Sequence, residues 1–314
     1  MNPQSERDSP LWPPQALDPA GPFAAPLAEI SWVMLTMGAA VLVIVLAALV
    51  LALSGSARSW MAHNKFVFAA GFSFPVIVLS AALIYGLTTT ARLTDPPGAN
   101  ELRIRVIGEM WWWRVLYMDG DRVAFETANE IRIPTGAPVT FELESADVIH
   151  SFWVPQLGAK LDMIPGRRNL LRLQADRPQT YRGYCTEFCG AAHALMAFEV
   201  VAVTPEAFAQ WRTAQAAPVL PRTGDRGAAL FDAAGCAACH AVRGTSALGR
   251  AGPDLTHFAS RRTLGAGILP NDAPTLRRWI ANADDLKPSV RMPSYESLSD
   301  ADREALALYL EGLR

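Results

Sequence analysis

CTEFCGAAHALM, residues 185–196, holds two cysteines four apart, a histidine four further on and a methionine three after that. The other two cysteines of the chain lie in GCAACH, residues 235–240, so all four fall into two tight clusters. Clustered thiols can pair as disulfides, grip a metal or carry a prosthetic group. Which of these applies depends on the redox compartment.

The compartment follows from the first third of the chain. Residues 30–53, ISWVMLTMGAAVLVIVLAALVLAL, and 66–88, FVFAAGFSFPVIVLSAALIYGLT, carry no charge, in a 314-residue chain with 18% charged residues. At 1.5 Å per residue either run spans a hydrocarbon core of ~30 Å. A buried core helix would normally keep a polar stripe, and neither run has one. Pro75 is tolerable inside a membrane helix. The segment between them, SGSARSWMAHNK (54–65), has Arg58 and Lys65 and no acid, which predicts a cytoplasmic loop. Residues 1–29 and everything beyond 88 are then expected on the outer face, in a bacterium the periplasm of the inner membrane. The N-terminal segment lacks a basic stretch leading into a short apolar core, so no cleavable signal is expected.

After a turn-rich break, TDPPGAN, residues 95–205 read as short alternating strands: ELRIRVIG, MWWWRVLYM, RVAFET, EIRIP, PVTFELES, NLLRLQA and ALMAFEVVAV. Their spacing predicts one small antiparallel barrel or sandwich. Residues 206–222 predict a helix and a Pro-containing linker. Residues 223–314 are mainly helical in pattern, with Ser299 as N-cap of the last helix. The expected architecture is multi-domain: a two-helix transmembrane hairpin, an all-β domain and an all-α domain. Acidic and basic residues balance in both outer segments, which excludes the basic excess of a nucleic-acid binder.

Outside the cytoplasm, Cys185 and Cys189 could form a disulfide, or join a histidine at a zinc site. A blue-copper site would take one Cys, two His and a weak Met. Here one Cys is surplus, and His150, in SADVIHSFWVP, offers the second imidazole from an earlier strand. Two thiolates, two imidazoles and a thioether suit copper better than magnesium, calcium or oxygen-ligated iron. With two cysteines at hand, both thiolates can bridge a pair of metal ions.

Two N-terminal membrane helices, GEMWWW, DVIHSFWVP, LDMIPGR and C-x-E-x-C-G-x-x-H-x-x-M, in that order, resemble subunit II of the copper A cytochrome c oxidases over residues ~20–205. The resemblance implies a cupredoxin-like Greek-key barrel holding a binuclear copper A centre. Cys185 and Cys189 would be the bridging thiolates, His150 and His193 the imidazole ligands, and Met196 a weak ligand. Glu187 would give its backbone carbonyl to copper and point its carboxylate at a magnesium ion shared with subunit I. Trp111 matches an exposed tryptophan where electrons enter, and Asp147 an acid used in donor docking. Lys160, Asp162 and Arg167 lie in the stretch that resembles the subunit I contact. Phe68 stands near the place where the family usually has a Glu at the mouth of a proton channel.

CAACH is the signature of covalent haem attachment, with Cys236 and Cys239 for the two thioethers and His240 as iron ligand. Met292 is the only methionine after His240 and is expected as the sixth ligand; His257 is its rival. A His–Met pair raises the haem potential, as a donor to copper requires. Residues 222–314 resemble class I cytochrome c, and this fusion marks the caa-type branch of the oxidases. The resemblance implies an oxidase subunit that passes electrons from a periplasmic donor such as cytochrome c through haem c and copper A to haem a of subunit I, beside subunit III. Oxygen reduction and proton pumping would take place on another chain. The rival expectation is a membrane-tethered copper or haem protein, a sensor or chaperone, acting outside an oxidase.

Overall fold

The computed structural model describes residues 15–55, 57–93, 98, 101–219 and 224–314. The expected break at 94–100, the first part of the N-terminal segment and residues 220–222 of the linker lie largely outside them. The chain forms two compact units, Ala25–Gly98 and the remainder.

The first unit is helical. Helix α1 spans Ala25–Ser54 and α2 spans Asn64–Ala91, each extending past its uncharged run at both ends. His63 caps α2 by accepting a hydrogen bond from Lys65 N. Pro75 has no N–H to give, and a π-turn at Ala69–Ser73, with Phe74 N donating to Ala69 O, takes up the irregularity just before it. Leu42, Val43, Ile44 and Val45 are all exposed on α1, as are Ile77, Leu79, Leu83 and Ile84 on α2. Helices apolar on every face and uncovered by protein need hydrocarbon around them, so these are the spans of a two-pass membrane protein.

The second unit has two hydrophobic cores. The first belongs to a two-layer β domain. One sheet has the order β3-β2-β1-β5-β8, from Arg122–Ala128 (β3), Trp112–Asp119 (β2), Leu102–Glu109 (β1), Val139–Ser145 (β5) and Asn169–Leu173 (β8). The other runs β4-β10-β9-β6-β7, from Glu130–Pro134, Ala197–Val203, Gln179–Cys185, His150–Trp153 and Leu161–Met163. β1 pairs in parallel with β5, and β10 with β4; the other neighbours are antiparallel. This mixed order is the cupredoxin-like arrangement. Between the layers, Phe198 stacks on Phe152 at 4.4 Å, and Trp113 meets both edge-on at 5.0 and 5.8 Å.

Helix α3, Pro205–Ala216, starts at Thr204, whose hydroxyl accepts from Ala207 N. Its Trp211 packs edge-on against Tyr117 and Phe125, so the helix closes one end of the β domain. Upstream of α1, Ala20 N donates to Gln156 O and Asp176 N donates to Ala20 O, which ties residues 18–20 to the same domain.

The second core is helical. It holds α4 (Arg226–Ala233), α5 (Ala273–Ala281), α6 (Ala283–Leu286) and α7 (Asp300–Glu311), capped at α4, α5 and α7 by Asp225, Asp272 and Ser299. Phe231, Leu276, Ile280, Leu306 and Tyr309 fill it. Gly227 lets α4 cross close to α7, since a Cβ there would lie 2.2 Å from Ala305 O.

Gly183 on β9 is equally tight: a Cβ would fall 2.2 Å from the Phe198 ring. Gly183→Ala should therefore destabilise the β domain by ~1–3 kcal/mol. A urea midpoint equal to that of the wild type would contradict this packing.

Candidate metal centre

The centre is built where β9 ends and β10 begins. Tyr184 pairs with Ala197, and Cys185 N donates to Met196 O at 3.0 Å, so residues 186–195 leave and rejoin the sheet at one point. Gly190 takes φ +112°, a left-handed bend that favours glycine, and lies flat against the Trp111 ring. His193 N then closes on Gly190 O and starts a short 3₁₀ turn, His193–Leu195.

This loop brings the sulfur donors together. Cys185 Sγ and Cys189 Sγ are 3.8 Å apart, too far for a disulfide and close enough to share bridged ions. Cys189 Sγ lies 3.5 Å from His193 Nδ1 and 3.8 Å from Met196 Sδ. Cys185 Sγ lies 3.8 Å from His150 Nδ1 and 3.3 Å from the backbone carbonyl of Glu187. The donor atoms of His150, Cys185 and Cys189 all fall within 4.8 Å of one another. Every residue expected as a copper ligand is present in one cluster. Its chemistry, soft sulfur and imidazole nitrogen with one carbonyl, fits copper.

The electrostatics favour thiolate on one side. The hydrogen bond shared with Cys189 pulls the Cys185 thiol down, against burial, with help from His150 and two backbone groups. The same contact, together with burial, pushes Cys189 up. The first proton leaves readily and the second is held, so a metal that takes both thiolates must displace a proton.

Asp147, expected as a docking acid, also has a partner inside the centre. Its side chain is mostly buried, and it accepts hydrogen bonds from Met110 N and Val148 N and pairs with His150 Nε2 at 2.8 Å. Burial pushes its carboxyl up, but the bonds from His150 and the two amides outweigh that and hold it below its ordinary range. With Nε2 fixed by a carboxylate, Nδ1 is left facing the thiols. The sequence placed Asp147 three residues from His150 but carried no sign of which way it turned.

Trp111 differs from expectation. It is 9% exposed rather than open to solvent. Its Nε1 donates to Cys189 O at 2.9 Å, so it touches the ligand loop directly. Trp113 points into the core, and Trp112 lies beneath the Arg114 guanidinium. Lys160 and Arg167 are exposed and Asp162 half-exposed, on β7 and its flanking turns. Phe188, on the ligand loop, is 77% exposed and edge-on to His193; the sequence reading did not single it out.

In the helical domain, Cys236 and Cys239 are free thiols on a short 3₁₀ turn after Gly235, with His240 next to them. His240 Nδ1 sits 2.8 Å from Pro253 O, which selects the tautomer with Nε2 free. Burial pushes the imidazole pKa down, the Pro253 contact opposing, as a neutral metal ligand needs. His257 Nε2 is engaged with Ala217 O at 2.9 Å, which occupies the rival ligand. Met292 is half-buried in the loop between α6 and α7.

A family model described as cytochrome C oxidase subunit II, periplasmic domain, matches residues 119–203, and one described as cytochrome c matches residues 224–314. Cytochrome c oxidase subunit 2 of Alkalihalophilus pseudofirmus is 37% identical over 248 residues, covering 76% of this chain and 71% of that protein. The chain belongs to the cytochrome c oxidase subunit II family. The subunit 2 of Bacillus subtilis is 30% identical over 275 residues, 80% of this chain and 75% of that one. Among solved structures, the periplasmic domain of subunit II of cytochrome oxidase from Bradyrhizobium japonicum shares 31% identity, covering 38% of this chain and 95% of that one, at a TM-score of 0.36. As a subunit II with a cytochrome c domain, the protein is part of an oxidoreductase, a haem–copper terminal oxidase, with subunit I as its partner. The two families imply copper A and haem c, and the cluster around Cys185, Cys189 and His150 fits the former.

Replacing Asp147 by Ala frees the His150 ring and should lower copper affinity ~10–100-fold. Competition titration against a chelator reads this; an unchanged affinity would remove Asp147 from the centre.

Proposed function

We propose that this subunit takes electrons from a periplasmic donor, such as cytochrome c, at its own haem-bearing domain. It then hands them through the copper A site to haem a of subunit I, which supports oxygen reduction and proton pumping there. The convergence of His150, Cys185, Glu187 O, Cys189, His193 and Met196 on one point carries this reading. A copper pair bound there would supply a one-electron store shared between two ions. The chain's own part is to hold both thiolates by β9 and its loop, orient one imidazole through Asp147, and keep water out with Trp111, Met196 and the aromatic core.

In the helical domain, Cys236 and Cys239 would carry the haem thioethers, and His240 and Met292 the axial bonds. Pro253 O fixes the His240 tautomer for that purpose. The boundaries read from the sequence, 95–205 for the copper domain and 223–314 for the cytochrome domain, belong to this proposal.

The subunit I contact is assigned to the surface beside the ligands. Phe188, Val148 and Ile149 are exposed apolar side chains flanking the two histidines, with Lys160, Asp162 and Arg167 on the neighbouring turns. There the Glu187 carboxylate would reach a magnesium ion shared with subunit I, and subunit III would complete the assembly in the membrane. Orientation is supported by connectivity: residues 18–20 before α1 are tied to the β domain, and an even number of spans returns the chain to the same side. The basic loop 54–65 then faces the cytoplasm and both redox domains face the periplasm.

The purified complex should contain two copper ions and one covalent haem per copy of this chain, with a near-infrared copper band that Cys189→Ser abolishes. A single zinc at the site, or a Cys185–Cys189 disulfide in the native protein, would overturn the reading.

Phe68 is exposed and stacks on Phe72 at 5.1 Å, in the region where a proton-channel Glu is usual. We read this subunit as supplying no carboxylate to that channel. Phe68→Glu should leave turnover and proton yield unchanged; a several-fold rise would show that the channel mouth is incomplete without it.

A further inference from the structure

The sequence has only three lysines, Lys65, Lys160 and Lys287, in a chain rich in arginine. Lys287 is the buried one, 2% exposed. It follows α6, and the proline after it holds its backbone extended, which ends the helix and turns the side chain away from it. Its Nζ donates to Trp111 O at 2.6 Å and to Gly265 O at 2.9 Å. One carbonyl belongs to the copper domain and the other to the cytochrome domain, so a single side-chain nitrogen joins the two.

The contact is built around that bond. Gly265, Ala266 and Gly267 all have positive φ, a left-handed run that lets the main chain lie flat on the copper domain. Ala197 N, next to the ligand Met196, donates to Ala266 O at 3.0 Å, and a Cβ on Gly267 would sit 3.1 Å from Phe198 N. Arg262 adds a backbone bond to Glu130 and an ion pair with Glu199 at 3.3 Å. On the far side of the ligand loop, Arg291 lies 3.9 Å from Asp147. The cytochrome domain therefore rests on both flanks of the copper ligands, at Trp111 and at Ala197, and covers Trp111.

A buried lysine amine is costly unless its N–H groups find acceptors, and the carbonyls of Trp111 and Gly265 supply two. Burial pushes the Lys287 pKa down to about 7. No catalytic step of the relay calls for a lysine here; what the side chain does is hold two carbonyls.

We propose that Lys287 is a positioning residue that clamps the cytochrome c domain onto the backbone of Trp111, holding the haem-bearing module in one fixed orientation against the copper-ligand loop. The proposal rests on the electron relay described above for its purpose, but not for its geometry. Trp111 is thereby reserved for the attached donor: its indole contacts Cys189 O, its carbonyl is held by Lys287, and at 9% exposure it offers little surface to a diffusing cytochrome.

Two measurements on the full-length protein in its oxidase complex test this. The first uses the wild type: acylation of Lys287 by a water-soluble amine reagent should be at least ~10-fold slower in the native protein than after unfolding in urea. Labelling at the unfolded rate would show the clamp open and overturn the proposal. The second uses Lys287→Met, which keeps the length and removes the donors. Deuterium uptake in peptides spanning residues 110–112 and 197–198 should speed up at least ~10-fold, and electron transfer from haem to copper should slow by a similar factor. Copper and haem content, their spectra and their potentials should match the wild type, which a general loss of fold would not allow. Unchanged exchange and unchanged transfer in Lys287→Met would reject the clamp. If that variant fails to fold, the wild-type labelling decides alone. If the wild type lacks copper or haem, the relay fails, while labelling and exchange still report on the clamp.

Discussion

The copper site depends on one closure of the backbone, the bond from Cys185 N to Met196 O that extends the β9–β10 pairing by a residue. It makes the first and last donors of the loop neighbours. Between them Cys189 and His193 have only to complete two tight turns, for which Gly190 supplies the left-handed bend. His150 is added from β6, itself paired with β9 through Phe152 and Cys185. Five donors, the Glu187 carbonyl included, come from one loop and one from the adjacent strand, so the site is as rigid as the sheet beneath it. Rigidity of this kind suits electron transfer, where motion of the ligands on reduction adds to the barrier.

The aromatic layer under the loop has the same purpose. Trp113, Phe152 and Phe198 interlock between the sheets directly beneath His150 and Ala197, and Trp113 also lies 6.1 Å from the His150 ring. Interiors at this density yield little to a displaced ring, so a disturbance at Gly183 reaches the ligands through Phe198. Opposite them, Glu142, itself buried, is answered by Arg103 and Arg105 across β1 and β5. Burial raises that carboxyl, and the two arginines overcome it and bring it below its ordinary range. A charge is thus tolerated within the sheet because its partners are fixed by strand register.

Much of this was readable from the sequence because the ligands are local. The spacing of Cys185, Cys189, His193 and Met196 shows that four donors can meet in one loop, and the resemblance to the oxidase family is what implies a copper pair there; CAACH is a motif in its own right. Seven strands were visible through alternation. Three were not: β6 and β7 are four and three residues long, too short to show a period, and β9 carries Gly183 where an apolar side chain would have marked the inward face. The covering of Trp111 and the inward partner of Asp147 escaped the sequence for one reason. Exposure is a property of what covers a residue, and both are covered by segments distant in sequence: Asp147 by Met110 and Arg291, Trp111 by Gly190 and Lys287. Local pattern identifies a donor atom; it does not identify a neighbour well over a hundred residues away.

The joining of two redox domains in one chain raises a question of affinity against orientation. A short tether already sets an effective concentration on the order of millimolar, enough to keep a weakly binding donor at its acceptor much of the time. The contact at Trp111 and Ala197 goes further than occupancy requires. It uses main-chain bonds, a left-handed run placed against Phe198, and a buried lysine nitrogen. Such features add little to an encounter that the tether has already secured, but they remove rotational freedom within it. Electron transfer falls off steeply with distance and is sensitive to the atoms between donor and acceptor, so a tethered domain that tumbled would spend most of its time in unproductive poses. A contact that combines main-chain bonds, a buried lysine and the ion pairs of Arg262 with Glu199 and Arg291 with Asp147 is the arrangement expected where the partner never leaves. The tether also accounts for the near neutrality of each outer domain: steering by long-range charge serves partners that must find each other, and these two are already joined.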